Sequence, residues 1–217
     1  MSIAVLILGE SGTGKTSSLR NLDPAHTLLI QAIPKPLPFK SAEWKPVASG
    51  GNIIVTDQSH KIVSAMQKTT REVIVIDDFQ YTMANEFMRR VNDKEVGNAA
   101  FAKYNEIARS AWDVLTAAAN LPAGKRVYIL SHTQTDDAGR VKIKTIGKLL
   151  DEKITIEGLV SIVLRTAVVN GNYMFSTRNN GHDTTKTPMG MFDEELIEND
   201  LALIDTQIYN YYELQPA

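Results

Sequence analysis

Short apolar runs, each closed by a polar or glycine-rich segment, recur along the chain: Ile3 to Leu8, Thr27 to Ile30, Asn52 to Thr56, Val73 to Ile76 and Arg126 to Leu130. Hydrophobicity that is continuous over so few residues predicts strands buried on both faces, as in a mainly parallel sheet. Helical spacing fills the intervals. Lys15 to Leu22 is helix-compatible, and Ser59 to Lys68 puts Ile62, Val63 and Met66 on one face. Gln80 to Val91 carries Arg89 and Arg90 at the negative pole of its dipole. Phe101 to Ala119 aligns Phe101, Tyr104, Ile107, Ala111, Leu115 and Ala118, with Trp112 read as core. Strand and helix alternating in this way predict an α/β fold, a mainly parallel sheet flanked by helices.

The later chain has other patterns. Leu159 to Val169 and Asn172 to Thr177 flank Asn170-Gly171, a pair suited to the tight turn of a hairpin that extends the sheet antiparallel. Val141 to Lys144 alternates with period two, which sets Arg140, Lys142 and Lys144 on one face. Asp193 to Tyr212 has Leu201, Ile204 and Ile208 at helical spacing and should pack back on the domain. Gln31 to Gly51, with Pro34, Pro36, Pro38 and Pro46, predicts a long surface loop. Its Phe39 and Trp44 either tuck onto the core or meet a nucleotide base or a neighbouring subunit. Asn92 to Asn98 reads as a polar, mobile connection.

With 217 residues, 43% of them hydrophobic, the chain can bury a full core, so one domain is expected, its core over residues 1–178 and a C-terminal loop and helix over 179–217. A net charge of −2 gives no global basic field, so any nucleic-acid contact must come from a local patch. The absence of cysteine excludes disulfides, thiolate metal sites and cysteine nucleophiles, which makes any metal oxygen-bound. No apolar run approaches a membrane span and no basic leader precedes the first one, from which a cytoplasmic protein with no membrane partner is expected.

The first run ends in Gly9-Glu10-Ser11-Gly12-Thr13-Gly14-Lys15-Thr16, which satisfies the phosphate-loop pattern G-x-x-x-x-G-K-[ST]. Such a loop turns its backbone N–H groups inward around an anion, and glycines permit the torsions and the close approach. Gly9 to Ser17 are the nucleotide-binding candidates: Lys15 is suited to the β- and γ-phosphates and the Thr16 hydroxyl to Mg²⁺, and the helix over Lys15 to Leu22 aims its positive end at the anion. Val73-Ile74-Val75-Ile76 closes on Asp77-Asp78, acids at the carboxyl end of a strand beside the loop. Asp77 is placed to bind Mg²⁺ through water; Asp78 either polarises the attacking water or caps the following helix. His132 and Gln134, after the strand Arg126 to Leu130, are γ-phosphate sensor candidates or strand-end caps. Arg140, Lys142, Lys144 and Lys148 form either a lysine-protected edge or a track for single-stranded DNA phosphates. Arg178 and Lys186 are either surface charge or cations that complete a site in the same or an adjacent subunit.

The order of these parts, with Gly9–Thr16 at the start, VIVIDD at 73–78, YILSHTQ at 128–134 and FSTRNN before TTKTP, resembles phage-encoded RecA-like AAA-type P-loop ATPases that include the Sak-type single-strand annealing recombinases. The resemblance implies ATP and Mg²⁺ at Lys15, Thr16 and Asp77, a sensor near His132 to Gln134 and DNA contacts after that strand. It also implies a homo-oligomer with Arg178 or Lys186 reaching a neighbour's nucleotide, a single-strand-binding protein as a further partner, and a bacterial host cytoplasm. The chain departs from the pattern where RecA-like enzymes carry a glutamate after the second strand, since Gln31 and Ala32 stand there. Rival expectations are a small-molecule or nucleoside kinase and a non-catalytic nucleotide-dependent accessory factor.

Overall fold

The computed structural model describes residues 1–93 and 99–215. The apolar runs become β1 (Ile3–Leu8), β2 (Thr27–Gln31), β3 (Ile53–Val55), β4 (Val73–Asp77) and β5 (Arg126–Ser131). There follow β6 (Thr133–Thr135), β7 (Val141–Ile143), β8 (Ile162–Val169), β9 (Asn172–Ser176) and β10 (Leu196–Glu198). The helices are α1 (Ser59–Lys68), α2 (Gln80–Arg89), α3 (Ala99–Ala119) and α4 (Leu201–Tyr211). Eight strands form one sheet in the order β10-β9-β8-β1-β5-β4-β2-β3, while β6 and β7 pair apart from it. The strands from β8 to β3 run parallel, and β9 and β10 continue the sheet antiparallel.

Period-two alternation divides the sheet's side chains between two cores. In β1, Leu6 and Leu8 face a cluster with Ile62 and Met66 of α1, Met83 of α2 and Ile107 and Leu115 of α3. Val5 and Ile7 face the other, with Leu19, Trp44 and Leu201, Ile204 and Ile208 of α4. Covering both faces requires apolar residues at consecutive positions, which is why the strands read as unbroken runs.

Several expectations change. The helix after the phosphate loop is a six-residue 3-10 segment, Thr16–Asn21, because the chain must turn at Asp23-Pro24 within two more residues. That length supports far less dipole than an α-helix would. β10 was expected to be helix or loop; it is held by pairing with β9, a partner no local pattern reveals. Phe39 and Trp44 meet edge to face at 6.0 Å and pack on the second core, which favours the tucked reading of the loop. Trp112 is half-buried and outside both core clusters, and Val114 takes the fully buried place. Arg89 and Arg90 are held by carboxylates, Asp57 at 2.7 Å and Glu106 at 2.6 Å. Of the polar connection 92–98, residues 94–98 lie outside the described residues.

One buried ion pair fastens α4 to the central strands. Asp205 accepts from Arg126 Nε at 2.7 Å, Arg126 Nη2 at 3.1 Å and the Tyr128 hydroxyl at 2.5 Å. Burial and the adjacent Asp205 carboxylate push the Tyr128 phenol well above its ordinary value, which keeps it a neutral donor. Breaking such a pair from one side leaves the buried guanidinium with only the longer contact to Glu72 at 3.5 Å and the Gly124 carbonyl at 2.8 Å. Asp205→Ala is expected to cost about 3 kcal/mol in urea-induced unfolding; a loss below about 1 kcal/mol would show the network to be incidental.

Candidate functional site

β1 delivers Gly9 to the carboxyl edge of the sheet, where its N–H donates to the Ser131 carbonyl at the end of β5 (3.2 Å). A Cβ at Gly9 would stand 1.8 Å from Thr166 Oγ1 of β8, so glycine alone admits that strand. Thr166 and Thr13 share a hydroxyl hydrogen bond of 2.6 Å, which pins the loop to β8. At Gly14 the chain takes φ +95°, and a Cβ there would meet the Tyr173 ring at 2.9 Å. Glu10, Ser11 and Gly12 form the exposed crest.

Lys15 reaches back across the loop, donating to the Gly9 carbonyl at 2.9 Å and the Glu10 carbonyl at 2.8 Å. Burial lowers its pKa to about 8, against the pull of Asp78 and Asp77. Thr16 Oγ1, at the start of the 3-10 segment, donates to both Asp77 oxygens, at 3.0 and 3.1 Å, so the phosphate loop that leaves β1 reaches past β5 to the end of β4. Asp77 is fully buried; desolvation first, and then the Asp78 charge, push its carboxyl up to about 6.

Asp78 has φ 60°, a left-handed conformation uncommon outside glycine and one that collects at functional sites. Its carboxylate contacts Lys35 Nζ and lies 3.6 Å from His132 Nε2. Burial disfavours its charge, but the hydrogen bonds from His132 and Lys35 outweigh that and hold the carboxyl below its usual value. Lys35 arrives between Pro34 and Pro36, its carbonyl accepting from Gln31 Nε2 at 3.2 Å, and its ammonium is also 4.0 Å from Asp77. Burial opposes its charge too, yet the Asp78 hydrogen bond raises its pKa.

A cavity of about 580 Å³ opens over these groups, lined by Lys15, Thr16, Lys35, Asp78, His132 and Tyr173 among others. Two lysines and two aspartates gathered beside a glycine loop suit a phosphate chain with a divalent ion. The oxygen-only donor set of Thr16 and Asp77 fits Mg²⁺, which binds through one or two protein groups and the substrate's own phosphates. Among the described residues no group of three or more His, Cys, Asp or Glu forms a metal cluster.

Of the two sensor candidates, His132 lines the cavity, edge to face with Tyr81 at 6.0 Å. Gln134 turns away to the Asp151 carboxylate. Arg178 lies outside the cavity and holds the carbonyls of Phe192 and Asp193 at 3.4 and 2.6 Å. Lys186 pairs its backbone with Val163, level with Leu6 and well below the loop. Arg140 and Lys144 are exposed on the β6–β7 hairpin, whereas Lys142 pairs with Asp151 at 2.8 Å and Lys148 with Glu152 at 3.6 Å. Sequence reasoning missed Lys35, Tyr81 and Tyr173. For Lys35 the signal was a lone lysine between prolines just beyond a strand that ends beside the phosphate loop.

A family model of the AAA domain matches residues 1–189. No curated protein matches the chain. Among the described residues no helix is long and apolar enough to cross a membrane.

The Asp77 carboxyl titrates near 6 in the folded chain against an ordinary 3.8, so the folded state binds the extra proton between those values. Stability therefore falls as pH rises through that window and stays lower above it. Asp77→Asn removes this penalty and is expected to stabilise the nucleotide-free, chelated protein by on the order of 2 kcal/mol above pH 6, the difference vanishing toward pH 4. Urea unfolding at both ends of the range checks it; a variant no more stable than the parent at high pH contradicts the assignment.

Proposed function

The chain belongs to the AAA domain family, which makes it a nucleotide-binding P-loop protein, and from that premise we propose that it hydrolyses ATP, with Mg²⁺, to drive a conformational or assembly change on single-stranded DNA. The observation that carries the nucleotide half of the reading is the contact of Thr16 with both oxygens of Asp77, beside Lys15 and under an open cavity. In it, Lys15 gives up its two loop carbonyls for the β- and γ-phosphates, whose negative charge favours the ammonium form that burial disfavours. Thr16 and Asp77 would hold Mg²⁺, which when bound would neutralise charge on the phosphate oxygens. Asp78, ionised and one residue beyond, orients the attacking water, with His132 and Lys35 fixing its carboxylate. In-line attack then needs no acid from β2, where Gln31 instead hydrogen-bonds the Lys35 carbonyl.

The DNA half rests on continuity. β6 begins one residue after His132, and the Lys144 N–H donates to the His132 carbonyl at 2.8 Å. A shift of His132 on loss of the γ-phosphate thus moves the hairpin that carries the exposed Arg140 and Lys144. Those two cations, unlike the paired Lys142 and Lys148, are available to backbone phosphates. The same reading makes the protein a homo-oligomer, with Arg178 or Lys186 serving a neighbour's cavity, and places it in the phage-type annealing group, working beside a single-strand-binding protein. Among the described residues no arginine lines the cavity, which weighs against a kinase lid.

Lys15→Ala is expected to abolish ATP turnover, and full activity in that variant overturns the ATPase reading. Paired charge reversal, Arg140→Glu with Lys144→Glu, should leave turnover without DNA intact but remove its stimulation by single-stranded DNA, along with about two units of the salt dependence of binding. Unchanged DNA affinity and salt slope contradict the hairpin assignment; nucleotide binding without turnover in the parent protein favours the accessory-factor reading.

A further inference from the structure

Next to the phosphate cavity lies a second one of about 470 Å³, and two residues, Ser17 and Tyr173, line both. A molecule whose phosphates lie along Lys15 and Thr16 and continue past Ser17 therefore has an adjoining space for its remaining part. Tyr173 and Phe175 share one face of β9, and Phe175 is buried in the core that holds Leu19 of the loop's 3-10 segment. One step further along that face, Tyr173 leaves the core. Its ring stands against Gly14 and remains 51% exposed.

The wall behind it is built rather than accidental. The Asn199 N–H donates to the Tyr173 carbonyl at 3.3 Å, and Arg20 donates to the Asn199 carbonyl while pairing with Glu198 at 2.9 Å. Asn21 binds Asp200 at 2.6 Å, so both sides of Asn199 are fastened to the segment after the phosphate loop. Yet the Asn199 side chain, only 2% exposed, leaves both its amide nitrogen and its amide oxygen without a hydrogen-bond partner. Buried amides of this kind are costly, and one held beside a cavity calls for a ligand.

We propose that this second cavity is the nucleobase subsite, in which the Tyr173 ring turns from Gly14 to stack on the base and the Asn199 amide pairs with the base edge. A planar base offers the π-face that an exposed tyrosine lacks, and adjacent donor and acceptor atoms on its edge match an amide that has one of each. Seating the base also accounts for the reach of β9 and β10 beyond the parallel sheet. The inference rests on Gly9–Thr16 being the phosphate site, and the two can fail separately.

The test is calorimetric titration of ATP and of inorganic tripolyphosphate, each with Mg²⁺, into the parent protein, Tyr173→Ala, Tyr173→Phe, Asn199→Ala and Lys15→Ala. Tyr173→Ala should weaken ATP about tenfold and leave tripolyphosphate unchanged, and Tyr173→Phe should retain ATP affinity. Asn199→Ala should weaken ATP without lowering the melting temperature, since the amide it removes has no partner to lose. ATP affinity unchanged in Tyr173→Ala, or ATP and tripolyphosphate lost together, overturns the subsite while leaving the phosphate site standing. A parent protein that binds neither ligand, or a Lys15→Ala variant that keeps both, overturns the phosphate site and the subsite with it.

Discussion

The hydrogen bond between Thr16, at the start of the 3-10 segment, and Asp77, at the end of β4, ties the phosphate loop to a strand that is not a neighbour of β1, and the nucleotide end of the molecule depends on it. β5 lies between β1 and β4, so the loop that leaves β1 must cross two inter-strand spacings, about 10 Å, to bring the hydroxyl to the carboxylate. Only the splayed carboxyl ends of a parallel sheet leave a crevice there. Asp77 is taken fully out of water to hold this position, and the Thr16 hydroxyl only partly offsets the desolvation. A chain selected for stability alone would place an apolar or amide residue at that position. The carboxylate is explained by what it holds when the cavity is filled.

The surrounding charges follow the same logic. Two lysines and two aspartates crowd one edge of the cavity; burial shifts Lys15 and Asp77 toward their neutral forms, while their mutual contacts hold Lys35 and Asp78 charged. Lys15 and Asp77 are both held in environments that disfavour their charged forms, and both gain from a polyanion with a divalent cation. Asp78 is the contrast: His132 and Lys35 secure its charge, and its left-handed backbone keeps the carboxylate turned to the cavity. Two adjacent acids thus differ in role because their partners differ, one poised for a cation and one kept ionised. Strain at Asp78 and an unpartnered amide at Asn199 mark the two ends of the same site.

The sheet was legible because burial on both faces confines polar residues to the ends of the central strands, such as Thr27, Gln31, Asp77, Arg126 and Ser131, so β1, β2, β4 and β5 stand out as apolar runs. The phosphate loop was legible because its glycines answer local demands, such as the approach of Thr166 to Gly9. Features that rest on distant partners were not. β10 is a strand only because β9 is beside it, and the 3-10 segment is short only because Leu19 and Leu22 must reach the core before the turn. Lys35 and Tyr173 come to the cavity from a proline-rich loop and a hairpin tip, where neither period nor spacing singles out one side chain. Gln134 shows the converse: a polar residue in a suggestive place whose hydrogen bond lies elsewhere.

If Thr16 and Asp77 act as one unit in gripping metal-bound nucleotide, their contributions cannot be independent. A double-mutant cycle on MgATP affinity, with Thr16→Val, Asp77→Asn and the pair together, measures this directly. The double variant is expected to lose no more affinity than the weaker-binding single variant. Losses that add in full, or single variants that bind MgATP as the parent does, would contradict it.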